Sequence, residues 1–326
     1  MIEPAFEKLH SESLLTNESF AKIRSLEDDQ TLSVYWELRT ILYLGVLLLV
    51  SGLSILVYKN IDSIGHLAIL LFIAAITISG FFYCFKTKLP FSKLKVKAPN
   101  SFFDYVLLLA CLCFVIFIGY WQYQYHVFGD RFGLVTFVPM VVLFFSAYFF
   151  DHLGILSLAI TNLAAWVGVA VTPSQVLKAN DFNSSTIIIT AFILGIVLLM
   201  LGKLTAMRIL KSHFAFTYTN FGMNILFVSC LAGLFHFNAV FLLWFLALIG
   251  IAAYFYFEAI KAKSFYFLLI LTLYSYIGLC YVIIHLLFDL GNAEFGGIYL
   301  IFFYFIFSAI GLIMFLIKMN KKLKAL

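Results

Sequence analysis

The chain has 326 residues, of which 64% are hydrophobic, 19% aromatic and only 11% charged, with a mean hydropathy of +1.05 and a formal net charge of +5. So few polar side chains cannot clothe a protein dissolved in water, whereas a bilayer accepts apolar side chains on the outside, so a soluble fold is excluded. Strands of about ten residues with alternating polarity are absent, which excludes an outer-membrane barrel and leaves an all-α, polytopic membrane bundle.

Residues 1–38 carry eight acids (Glu3, Glu7, Glu12, Glu18, Glu27, Asp28, Asp29, Glu37) and no apolar stretch, so no cleavable signal peptide is expected. The first span must then act as the insertion signal. Apolar residues recur at helical spacing in two short pieces of this arm, Phe6, Leu9 and Leu14 in one and Phe20, Ile23 and Leu26 in the other. Asn17 is the expected N-cap of the second piece, and Pro4 suits a first turn. Two short amphipathic helices folded as a cytoplasmic hairpin fit this pattern. Helices of that length are marginal alone, so they need each other, a second copy of the chain, a cytoplasmic protein or the membrane surface.

About twenty apolar residues cross the hydrocarbon core as a helix, and the chain offers ten such runs. They are 39–58, 66–85, 101–120, 133–150, 153–172, 186–203, 214–234, 238–259, 264–288 and 296–317, together a 39–317 transmembrane domain, followed by a basic cytoplasmic tail at 318–326. The shortest connections are Asp151-His152 and His236-Phe237-Asn238. Either is long enough to join two antiparallel helices.

Lysine and arginine in short loops stay on the cytoplasmic side. With ten spans and the amino terminus inside, that side collects Arg39, the five lysines of "KTKLPFSKLKVK" at 86–97, Lys203, Arg208, Lys211, Lys261, Lys263 and the lysines at 318, 321, 322 and 324. The opposite side holds only Lys59, Arg131 and Lys178 beyond the arm. Removing either short turn would scatter this pattern, so the charges argue for both. The expected setting is a bacterial inner membrane with both termini cytoplasmic. Residues 1–38 have eight acids against three bases and the remainder eighteen bases against eight acids. Lysines hugging helix ends face anionic headgroups of the bilayer rather than nucleic acid.

The arm "LLTNESFAKI" and the following "YLGVLLLVSGLSILVYKNIDSIGHLAILLFIAA" resemble the amino-terminal region of the bacterial DUF2157 family of predicted membrane proteins. That pattern places a short "gLLt-x-x-x-(F/Y)-x-x-I" arm before a glycine-containing first span and an Asn-Trp-Asp-like turn. Gly45, Gly52, Asn60 and Asp62 occupy the corresponding places, and Ile61 stands where the pattern has tryptophan. The resemblance covers about the first 85 residues. It implies a multi-pass bacterial membrane protein and brings no catalytic residues.

Charged side chains kept at mid-bilayer usually mark function, and this chain keeps none. Asp104, Asp151 and Glu258 fall at predicted cytoplasmic ends of spans, where water is expected to reach them and a salt bridge among them and Arg39 is expected to be structural. At depth the polar residues are neutral: Asn162, and then Asn220 and Asn224, which share one helix face with Thr217. They form either a polar path or interhelical bonds. On the opposite side Asp62, His66, Trp121, His126, Asp130, His285 and Asp289 fall at one depth, as an aromatic interfacial belt or alternatively as a ligand or metal rim.

No metalloprotease, nucleophile-elbow or nucleotide-loop motif is present, and no cofactor is implied. Cys84, Cys111, Cys113, Cys230 and Cys280 all lie in apolar runs without metal-site spacing. The expectation is a non-enzymatic scaffold, assembly or sensing component that docks a cytoplasmic partner through residues 1–38, with homo-oligomerisation open. The alternative is a transporter or flippase-like carrier of a small neutral or lipidic solute.

Overall fold

The computed structural model describes residues 12, 15–16, 19–20, 35–59, 65–171, 184–207, 211–290 and 295–325, and among them the only regular structure is helical. Ten long helices follow one another: α1 Tyr35–Lys59, α2 His66–Thr87, α3 Ser101–Tyr125, α4 Phe132–Phe150, α5 Leu153–Val171, α6 Ser185–Met207, α7 Ala215–His236, α8 Phe241–Lys261, α9 Phe265–Leu290 and α10 Phe295–Ala325. Among the described residues nine helices are long and apolar enough to cross a membrane, and α1 is apolar over Thr40–Ile55. Most of the arm lies outside the described residues. Within it Thr16 accepts the Ser19 N–H at 3.3 Å, so the capping side chain stands one residue before the expected Asn17.

Two apolar cores share the bundle. One joins α2 to α7 around Leu107, Leu143, Ile155, Ile160 and Leu198; the other joins α7 to α10 around Phe227, Leu248, Phe255 and Leu268. Helix α7 contributes to both. It is the least apolar span by sequence and the most buried, which is the arrangement lipid demands: its Thr217, Asn220, Asn224 and Ser229 meet protein rather than hydrocarbon.

The most extensive helix pair is α6 with α7, and glycine makes it possible. A Cβ on Gly222 would lie 3.0 Å from the Leu199 backbone nitrogen and 3.1 Å from the Gly195 carbonyl oxygen. Small residues at such a contact let two backbones approach, which is the main attractive device between helices in lipid. Gly45 and Gly52 of the first span, by contrast, have no atom near a would-be Cβ.

Both short turns are present. After α4, Asp151 adopts a left-handed conformation (φ 60, ψ 47) that aspartate tolerates better than most residues, and α5 begins two residues later. His152 caps α5, its Nδ1 accepting the Ile155 N–H at 3.2 Å. Between α7 and α8 a single 3₁₀ turn, Asn238–Val240, completes the connection.

The carboxyl-terminal lysines do not form a separate tail. Helix α10 continues through Lys318, Lys321 and Lys322 to Ala325, and Met319 and Leu323, one turn apart, are buried in the second core. A spacing of four puts the pair on one face, so the basic end of the helix is packed on that core along one side.

Candidate functional site

The residues expected to form a rim separate into different places. His66 and Tyr120 share a hydrogen bond at 2.7 Å across α2 and α3, and Trp121 packs on Phe117 of its own helix. His126 ends α3 in a left-handed conformation (φ 50), with Asp130 exposed in the following loop. That loop is held by a residue the sequence reading did not single out. Gln122, 4% exposed, donates through Nε2 to Gly129 O and accepts the Phe128 N–H through Oε1, both at 2.8 Å. His285 lies elsewhere, stacked on Tyr281 and meeting Phe241 edge-on, within the α8–α9 pair that packs on α7 and α10. Asp62 and the side chain of Asp289 lie outside the described residues. No group of three metal-ligating side chains occurs among the described residues. Among the described residues the expected rim is thus divided between the α2–α3 end and the α8–α9 pair.

Two of the deep amides, Asn220 and Asn224, bond to each other within α7 and to tyrosines of α9. Asn224 Nδ2 donates to Asn220 Oδ1 at 3.1 Å, Tyr266 donates to Asn220 Oδ1 at 2.8 Å, and Tyr274 donates to Asn224 Oδ1 at 3.1 Å. Two tyrosines of α9 therefore tie both amides of α7. Asn162, on α5, makes no hydrogen bond with either, and Thr217 is buried on α7. Asn224→Leu should cost about 0.6–2 kcal/mol and lower the melting temperature in detergent, whereas Asn162→Leu should leave it unchanged.

The most concentrated chemistry sits at one end of the bundle, in side chains expected to be wet. Lys211 is fully buried, and its Nζ lies 3.0 Å from Asp151 Oδ2 with each side chain 1% exposed. His213 Nε2 is 2.6 Å from Asp151 Oδ1, and the Val96 N–H donates to Oδ2. Both carboxylate oxygens are thereby engaged. Lys211 also binds the loop between α2 and α3 three ways: its N–H donates to Lys93 O at 2.7 Å, its Nζ donates to Leu94 O at 3.3 Å, and Nζ sits 5.2 Å from the Phe91 ring centroid. Beside it His152 approaches Asp104 at 3.9 Å and the Tyr43 hydroxyl at 3.3 Å.

Taking a carboxylate and an ammonium out of water costs several kcal/mol per ion, and Asp151 and Lys211 (φ 53) both hold left-handed backbones as well. These costs are met by the bonds just described. In return one bent, non-helical segment, residues 91–97, is pinned onto the α4–α5 turn and onto the segment that opens α7. Contacts of Tyr43 with His152, Lys203 with Tyr254 at 4.7 Å, and the buried Met319 and Leu323 bring the first half of α1, the second half of α8 and the end of α10 toward this same end.

Residues 7–156 match the family model of DUF2157, predicted membrane protein. The DUF2157 resemblance of the arm and first span is therefore correct and extends through α4 into the start of α5. The matched region contains the pinned loop, Asp104, Asp151 and His152, while Lys211 and His213 come from beyond it. No curated protein and no solved structure matches the chain.

Proposed function

We propose that this DUF2157-containing chain is a non-enzymatic scaffold of the bacterial inner membrane whose basic end face docks a cytoplasmic protein, with the amino-terminal arm as part of the dock. Short-loop lysines face the cytoplasm, which assigns the end carrying residues 86–97 to that side. The observation that carries the reading is the buried Asp151–Lys211–His213 group. A buried ion pair is a poor way to gain stability, and its best-attested use is to fix one arrangement among several. Here the arrangement fixed is a surface: Lys93, Leu94, Lys95 and Lys97 are exposed on the pinned peptide, and Tyr43 of α1 bonds His152, the neighbour of the Asp151 that holds that peptide.

A photo-crosslinking residue at Leu94, 63% exposed, tests this in living cells against one at Phe307, 68% exposed on a lipid-facing stretch of α10. A discrete protein adduct from position 94 alone, lost when residues 1–34 are deleted or when Lys93, Lys95 and Lys97 are all changed to Glu, is the expected result. Indistinguishable lipid adducts at both positions would end the proposal.

A further inference from the structure

Beside the pinned loop, α2, α3 and α4 enclose a cleft of about 590 Å³ that is open on one side and almost wholly apolar. That volume is in the range of small-ligand pockets. Six phenylalanines line it: Phe81, Phe82, Phe85, Phe114, Phe117 and Phe145. The Thr77 hydroxyl on its wall donates back onto Ile73 O at 2.9 Å and so has no free donor for a polar guest, and Ser146 is the other polar side chain of the lining.

The cleft's length and end identify its occupant. Along α2 its lining runs from Ala74 to Phe85, and at about 1.5 Å per residue this is roughly 16 Å, half of a hydrocarbon core about 30 Å thick. The cleft therefore spans one leaflet, from mid-membrane to the basic end. There Phe145 stacks on Phe149 at 5.2 Å, and Lys88 Nζ lies 3.9 Å from the Phe149 ring centroid and 6.0 Å from that of Phe85. Lys86 lies two residues earlier, in the last turn of α2. Among the described residues no carboxylate lies within ion-pair distance of either ammonium. A one-leaflet apolar slot that ends in unneutralised lysines is complementary in shape and charge to an anionic phospholipid.

We propose that this cleft is a binding site for one anionic glycerophospholipid, with an acyl chain against the phenylalanines and the phosphate at Lys88, distinct from the general contact that every lysine of this end makes with the bilayer. The aromatic rings under Lys88 orient its ammonium at headgroup depth.

Native mass spectrometry of the intact chain in detergent, titrated with phosphatidylglycerol and separately with phosphatidylcholine, tests the site. The expected result is preferential uptake of one phosphatidylglycerol, weakened about fivefold by Lys88→Gln, as for one lysine at an anionic headgroup. Ala74→Phe or Val142→Phe, which fill the cleft, should abolish it, and Lys318→Gln/Lys321→Gln should not. Equal uptake of the two lipids overturns the proposal. So does a preference that survives either cleft-filling variant in a chain that still elutes as a single species, or one that Lys88→Gln leaves unchanged.

Discussion

Lys211→Met should lower stability by about 3–5 kcal/mol, the largest effect expected of any single substitution in this chain, because it leaves the buried Asp151 carboxylate without its cation. His213 and the Val96 N–H would remain, but neither replaces an ammonium 3.0 Å away on a side chain 1% exposed. Thermal unfolding in detergent reads the loss directly. Limited trypsin digestion reads its location: with Lys93 O and Leu94 O released, cleavage after Lys93, Lys95 and Lys97 should precede cleavage anywhere else. Adding Asp151→Asn to Lys211→Met should recover part of the stability, since removing both charges leaves no ion stranded and Asn keeps the left-handed turn. A double variant less stable than Lys211→Met would contradict this account of the cluster.

Gly222→Val should disrupt the α6–α7 pair, at a cost of about 1–3 kcal/mol or more, because the added atoms meet backbone as well as the Leu199 side chain, and backbone cannot swing aside. The Leu199 nitrogen and the Gly195 oxygen sit 3.0 Å and 3.1 Å from the first of those atoms. Since α7 belongs to both cores, parting it from α6 loosens the whole bundle. Size-exclusion profiles and melting temperature should show it, with Gly250→Val as the control at a glycine that has open space. Comparable losses in the two variants would mean that helix propensity, not close approach, governs this interface.

Some of this was legible because the property read was a property of the segment itself. Long apolar runs become helices wherever backbone groups cannot bond to water, so the ten elements follow from composition and spacing. The turn at Asp151-His152 was legible from charge placement alone. Asn220 and Asn224 were legible as a pair because a spacing of four puts them on one face, but their tyrosine partners, Tyr266 and Tyr274, were not. The ionic group escaped for the same reason. Asp151 and Lys211 are sixty residues apart, each sits next to a span end where water is the default surrounding, and nothing local tells a covered end from an open one.

The sequence by itself determined that the chain is helical, that it lives in lipid, and on which loops its lysines fall, because burial in hydrocarbon and retention of charge act on each segment separately. The tertiary structure decided which polar groups are dry. Whether an aspartate is wet or buried, or a glycine faces lipid or a neighbouring backbone, depends on what other segments lie against it. That is a matter of packing between distant parts of the chain, and no single stretch encodes it.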